Sequence, residues 1–530
     1  MRSNYLKPTT TTIEDKSKNK ISRKKPIAAK PPPEALGAWP VIGHFLLFTG
    51  KGLTHVTLGD MADKYGPAFL IRFGSHRTLV VSSWEMMKEC FSAPNDKIFS
   101  NRESNLLWIK SMFYGSNSYG FSPYGPYWKE LRKISTQKLL SHHRLDAMKH
   151  LQMVEVDASF KQIYNLCNKN GGSPSPSSIN TTALVNMDEW LSHLMFNVIA
   201  RMVSGYQSDD VGTGATSTGE RFKVSMDETM RLMAIFAVSD LVPWLACVDR
   251  LRGLTRKMNR CGKDLDSIIG RLIEEHRQKR RLCRNNKGSK NEDGGHDDDQ
   301  DFIDICLSIM EQSQLPGDNP EIAIKSIVLD MIFAGSHTTT LAMTWTLSLL
   351  LNHRHMLKKA KEEIDAHVGN ERQVDDSDIH NLVYIQAIIK ESMRLYPPSP
   401  LFERMTMEDC EVGGFHIPAG TRLFVNVWKM QRDPTVWEDP LEFRPERFLT
   451  SKREIDVKGQ HYELIPFGAG RRICPGASFT LQVLHLVLAR LIHGFEMTTP
   501  MDVKVDMASS AGLFSNKMTP LEVLITPRTA

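Results

Sequence analysis

From Ile327 to Leu351 the chain runs IVLDMIFAGSHTTTLAMTWTLSLLL, 25 residues in which only Asp330 and His337 are ionisable. A helix that is apolar on all sides either crosses a membrane or lies at the centre of a large core. The polar cluster Ser336 to Thr340 at its middle is expensive in lipid unless it lines a site. A buried central helix facing a bound group accounts for both features, and that is the expectation here. At 530 residues the chain is long enough to build such a core, and its 41% hydrophobic and 24% charged content is ordinary for a globular protein.

A second stretch says what the group is. In FGAGRRICPG, Phe467 to Gly476, one cysteine lies between a glycine-rich turn and the helical run SFTLQVLHLVLARLIHGF. A thiolate just ahead of a helix N-terminus is favoured by unpaired N–H groups and the positive end of the dipole. No second cysteine is nearby, so a tetrahedral zinc site lacks its ligands, whereas one thiolate suits the axial position of a haem. Gly468, Gly470 and Gly476 let the backbone approach a flat macrocycle, and Arg472 is placed to reach a propionate. The competing reading of Cys474 is a structural cysteine in a tight turn.

The net charge of +5 raises the question of nucleic acid, but the charge is not spread over the body. Residues 1 to 30 hold nine Lys or Arg against Glu14 and Asp15, which leaves the remaining 500 residues at −2. No nucleic-acid partner is expected. This tail, 1–30, reads as disordered, with a membrane-seeking and a merely solvated tail as equal alternatives. It has no apolar run long enough for a signal peptide or a span. The eight cysteines are scattered without a C-x-x-C pair, as in a reducing compartment.

After the proline-rich hinge PPPEALGAWPVIGH at 31–44, FLIRFGSHRTLVVSS reads as a hairpin turning at Gly74 and Ser75. Ser82 with Glu85 forms a capping-box pattern for the helix WEMMKECF. A loop is expected from Phe113 to Pro126, then a helix with Trp128 and Arg132 on one face. Loops are also expected at 170–180, 208–220 and 284–301. The apolar segment 232–248 is cut by Asp240 and Pro243. Residues 375–396 read as one capped amphipathic helix stopped by Pro397 and Pro398, short β-like pieces follow, and LEVLITPR reads as a last strand. Helices dominate.

Glu391 and Arg394 lie three apart on a helical face, Arg447 follows in PERF, and the cysteine loop comes next. The order E-x-x-R, P-E-R-F, F-x-x-G-x-R-x-C-x-G resembles the core of the cytochrome P450 family on all three counts, and AGSHTT at 334–339 resembles its oxygen-binding signature. Strings such as SPYGPYWKELRKIS and YELIPFGAGRRICPGASF look like plant microsomal members, the branch with alkaloid and terpenoid hydroxylases and nicotine demethylases. Length alone allows two or three domains; the resemblance implies one, at 45–530, mainly α with a small β region.

It further implies haem b on Cys474, with Phe467, Gly468, Arg472 and Gly476 around it and Trp128, Arg132 and Arg404 toward the propionates. Glu391, Arg394 and Arg447 become a buried network holding the loop. Thr338 guides protons to dioxygen, and Ala334 leaves room for it. Candidate substrate contacts are Phe121, Phe236, Phe333, Ala334, Leu401 and Phe514, each equally readable as core. The implied reaction is insertion of one oxygen atom of O2 into a hydrophobic plant secondary metabolite, by hydroxylation or oxidative demethylation. Electrons come from NADPH through a reductase, which Lys129 and Lys133 either help dock or ignore. The implied location is the cytosolic face of the endoplasmic reticulum membrane, with 232–248 lying either over the substrate entrance or in the core.

Two departures stand out. The hydrophobic anchor that precedes the hinge in microsomal members is not visible, so the reading is a truncated or alternative form, or membrane association by other means. The acid of the helix signature is replaced by His337, either a proton relay or a tolerated substitution. A haem-thiolate isomerase or dehydratase, and a non-catalytic haem sensor, are the rival readings.

Overall fold

The computed structural model describes residues 30–48, 52–74, 76–169, 182–206, 218–286, 300–312, 317, 319–510 and 512–528. The tail ahead of residue 30, the expected loop at 170–180 and most of those at 208–220 and 284–301 lie outside the described residues. Where those loops are described the helices reach further: one begins at Thr218 and another continues to Asn286.

The apolar segment makes up all but the first seven residues and the last of one 33-residue helix, Pro320–Asn352. Asn319 starts it, its side chain accepting from the backbone N–H groups of Glu321 and Ile322, with Pro320 at the first helical position. Val328, Ile332, Trp345 and Leu347 are fully or almost fully buried. The segment is therefore a core helix, packed against Met187–Ser204, Val383–Leu395 and Ala477–Gly494. Among the described residues one helix, Ala477–Gly494, is long and apolar enough to cross a membrane, and it too is mostly buried.

The β region is small. Ala68–Phe73 and His76–Val81 form the expected hairpin; the second strand pairs in parallel with Arg422–Asn426, which pairs antiparallel with Leu401–Met405. The last strand, Glu522–Pro527, lies between Ala183–Asn186 and Phe495–Thr498, and Cys410–Val412 with Phe415–Ile417 makes a separate hairpin.

Several expectations need local correction. The cap of Trp84–Phe91 is Ser83, whose hydroxyl accepts from Met86 N–H; Ser82 is buried with its hydroxyl unpaired. Residues 375–396 form two pieces. Asp375 and Asp378 make a capping box on a short 3-10 turn, Asp376–Asn381, and Leu382 breaks it. The helix Val383–Leu395 then starts afresh, because the Glu363 carboxylate accepts from the N–H groups of Tyr384 and Ile385. Residues 232–248 break into short turns, and neither Phe236 nor Trp244 is core: they are 39% and 73% exposed.

Candidate active site

The cysteine loop is closed by a bond from Cys474 N–H to Phe467 O, 2.9 Å. Gly468 and Gly470 hold φ near +70°, and at Gly470 a Cβ would sit 2.4 Å from Asp96 Oδ1, so only glycine fits there. Asp96 also takes the N–H and guanidinium of Arg471, docking the loop on the residues before it. A 3-10 turn, Gly470–Arg472, leads to Cys474, and the helix Ala477–Gly494 starts behind it. Burial pushes the Cys474 thiol above its ordinary range, while the Gly476 N–H, Arg132 and Arg102 pull the other way. The helix N-terminus thus only partly offsets burial, and a metal cation bound to the sulfur would add stabilisation of the thiolate.

Cys474 opens into a cavity of about 350 Å³ between the loop and the central helix. Four guanidiniums line it: Arg102, Arg132, Arg404 and Arg472. Arg472 lies 4.5 Å from the Trp128 ring centroid and donates to the Ser100 and Ser122 carbonyls. Arg404 donates to Arg472 O, and its buried Nε has no partner. Arg102 donates to Gly120 O at 2.7 Å, and Arg132 reaches the Tyr119 hydroxyl at 3.4 Å. Burial first, and then Arg102, depress both Arg404 and Arg472, the latter to about 8. Four guanidiniums around one cavity, Arg404 and Arg472 of them buried, suit an anionic guest. Arg102 carries no motif in SNRESN, and nothing in the sequence singled it out.

The opposite wall is apolar. Ala334, Gly335 and Thr338 face it from the central helix, with Phe121, Phe333 and Phe514 around them. Thr338 Oγ donates to Ala334 O at 2.6 Å, and Ser336 and Thr340 bond back one turn in the same way. A Cβ on Gly335 would lie 2.6 Å from Ile199 Cδ1, so this glycine also serves close helix packing. Asp330 is the one carboxylate among the described lining residues. It accepts from Ser118 Oγ (3.0 Å) and Gly120 N–H (2.9 Å), and burial raises it to about 6.

Three candidates fall outside the cavity. Phe236 meets Phe45 instead, near the surface, with ring centroids 4.3 Å apart and planes tilted by 36°. Leu401 turns toward the cluster of Leu58, Phe69 and Val80, leaving Phe402 to line the site, because alternate residues of a strand face opposite ways. His337 also points away from it, toward Phe514.

Behind the loop, Glu391 accepts from Arg394 Nε (2.7 Å) and Nη2 (2.9 Å) and from Arg447 Nε (3.0 Å), all three side chains being buried. Arg394 also donates to the Gln431 carbonyl, and the Gln431 side chain accepts from Ile465 N–H at 3.0 Å. Gln431 is therefore the step from this network to the loop, and no motif marks it.

The donor set fits a haem: one axial sulfur, glycine backbone beside it and guanidiniums for two carboxylates. The model of the Cytochrome P450 family matches residues 31–525. Similar proteins include the (S)-N-methylcanadine 1-hydroxylase of Papaver somniferum, 60% identical over 99% of this chain and 94% of that protein. The methyltetrahydroprotoberberine 14-monooxygenase of the same plant is 57% identical over 94% and 91%. The strychnine-10-hydroxylase of Strychnos nux-vomica is 47% identical over the same shares of the two chains. A zebrafish cytochrome P450 solved with abiraterone shares the fold, with a TM-score of 0.70 over 90% of this chain and all of that one, at 24% identity. The chain belongs to the cytochrome P450 family. Within it, it is a monooxygenase.

Proposed function

We propose that this monooxygenase acts on a hydrophobic plant alkaloid, most simply a cationic N-methylated one, by hydroxylation or oxidative demethylation. The observation that carries the substrate reading is the cavity wall, which is lined by aromatic rings and carries one carboxylate, Asp330, among its described residues, as suits an apolar molecule with a positive nitrogen. The names of the relatives, alkaloid hydroxylases and monooxygenases, support it.

In this reading Cys474 would ligate the haem iron, Arg102, Arg132, Arg404 and Arg472 would pair with the propionates, and Trp128 backs Arg472. When bound, a thiolate-ligated haem would supply activation of O2 and insertion of one oxygen atom into a C–H bond, the other leaving as water with two protons and with two electrons from NADPH through a reductase. The aromatic wall excludes water. Thr338 holds a proton at the one hydroxyl that the described part of the central helix offers to the cavity.

Spin-state titration of the ferric enzyme with a quaternary N-methyl tetrahydroprotoberberine, followed by product analysis with a reductase, tests the assignment. Binding and turnover are expected; a cavity indifferent to such alkaloids would refute it. The pH dependence has a definite sign. Asp330, raised to about 6, is ionised above that pH and neutral below it. Affinity for the quaternary ligand, whose own charge is fixed, is expected to fall as pH drops through about 6. Asp330→Asn is expected to remove this dependence and to weaken the cation by roughly tenfold, sparing an uncharged analogue.

Membrane association is also proposed, at the cytosolic face of the endoplasmic reticulum. Leu36, Trp39 (62% exposed), Val41, Leu46 and Leu47 of the hinge region are exposed, as are Phe236 and Trp244, and the tilted Phe45–Phe236 contact joins the two segments. An exposed apolar surface of this kind suits lipid. Trp39→Asp with Trp244→Asp is expected to lower the fraction sedimenting with phospholipid vesicles severalfold at unchanged haem content; unchanged sedimentation would remove this face from the account. Lys129 and Lys133, both exposed, remain the proposed reductase contacts.

A further inference from the structure

We propose that His337 is a positioning residue: its imidazole supports the turn that carries Phe514 into the cavity, and thereby sets how a ligand is seated there. The inference deepens the proposed monooxygenase reading and concerns the same cavity. His337 sits between two cavity-lining neighbourhoods of the central helix, Ala334–Gly335 and Thr338, yet its own ring is not on the wall. It meets Phe514 instead, with ring centroids 5.2 Å apart and planes at 71°, an edge-to-face contact. Phe514 does line the cavity.

The turn around Phe514 is pinned on its other side. Ser515 O accepts from Trp345 Nε1 at 2.6 Å, and Ser515 N–H donates to Pro398 O at 3.0 Å. Ser510 N–H bonds to Asn516 O at 2.8 Å. The backbone is thus held by Trp345 and Pro398, while the aromatic side chain rests on His337. Two residues of one helix, eight apart, fix the backbone and the ring of a single turn.

A proton relay needs a donor and an acceptor in series through the imidazole, and His337 lacks the series. Its Nε2 is buried without a hydrogen-bond partner among the described residues. Burial lowers the ring to about 4, which the Asn516 side chain only partly offsets, so it is neutral at working pH. A neutral ring against a phenyl edge is a packing element, and a phenyl group, though larger and without the Asn516 bond, keeps the aromatic contact.

The test uses holoenzyme of the wild type, His337→Phe, His337→Ala, Phe514→Ala and the double His337→Ala/Phe514→Ala variant. The probe is 4-phenylimidazole, followed by the Soret shift on binding; it coordinates the haem whatever the natural substrate, so a wrong alkaloid assignment leaves this measurement intact. His337→Phe is expected to bind the probe within about twofold of wild type and to keep the same pH profile of NADPH oxidation. His337→Ala and Phe514→Ala are each expected to weaken it severalfold, and the double variant by no more than the larger single effect, a coupling of at least about threefold. Independent, additive effects, or a pH profile altered in His337→Phe, would overturn the proposal. So would loss of probe binding in His337→Phe at unchanged haem content.

Discussion

Glu391→Gln is expected to destabilise the protein by about 3–5 kcal/mol and to yield mostly haem-free chain. The substitution keeps the shape of the side chain but removes the negative charge that Arg394 and Arg447 share in a fully buried site. Two guanidiniums would then be left in the core with only carbonyl partners: Gln431, Pro440 and Glu442 for Arg394, Glu438 and Asp439 for Arg447. The damage reaches the cofactor side because Gln431 holds Ile465, two residues before Phe467. Haem per chain and the apparent melting temperature are the readouts. A Glu391→Gln protein that melts like wild type and holds full haem would show that the network does not secure the loop.

Cys474→Ala is expected to abolish monooxygenase turnover while leaving the polypeptide folded. The loop does not depend on the sulfur for its shape: the Cys474 N–H bond to Phe467, the glycine turns and the Asp96–Arg471 pair are all independent of it. What disappears is the one thiol among the described residues that line the cavity. Circular dichroism close to wild type, together with product below detection, is the expected pair of results. Retained turnover would place the metal ligand elsewhere.

Much of this site was legible because its chemistry is written in short, spaced motifs. The cysteine loop, the Glu391–Arg394 pair with Arg447, and Trp128 with Arg132 each combine rare residue types at fixed intervals. The central helix was legible because 25 residues with two ionisable groups leave few options. What escaped was contributed by packing between distant segments. Arg102 faces the cavity only because the loop through Gly120 folds over the central helix and is tied to Asp330. Gln431 matters because two separated segments, at 393–394 and at Ile465, converge on it. The misplaced candidates have the same origin: Leu401 and Phe402 differ only in strand parity, and Phe236 only in where a short turn directs it. The break at Leu382 was hidden because its cap, Glu363, lies on another helix.

The claim on which the account rests is that the Cys474 sulfur is bound to haem iron. X-ray absorption at the iron edge of the purified ferric holoenzyme measures this directly. One sulfur atom in the first coordination shell is expected in the wild type and none in Cys474→Ala reconstituted with haem; a shell of nitrogen and oxygen alone in the wild type, or sulfur that persists in the variant, would contradict it.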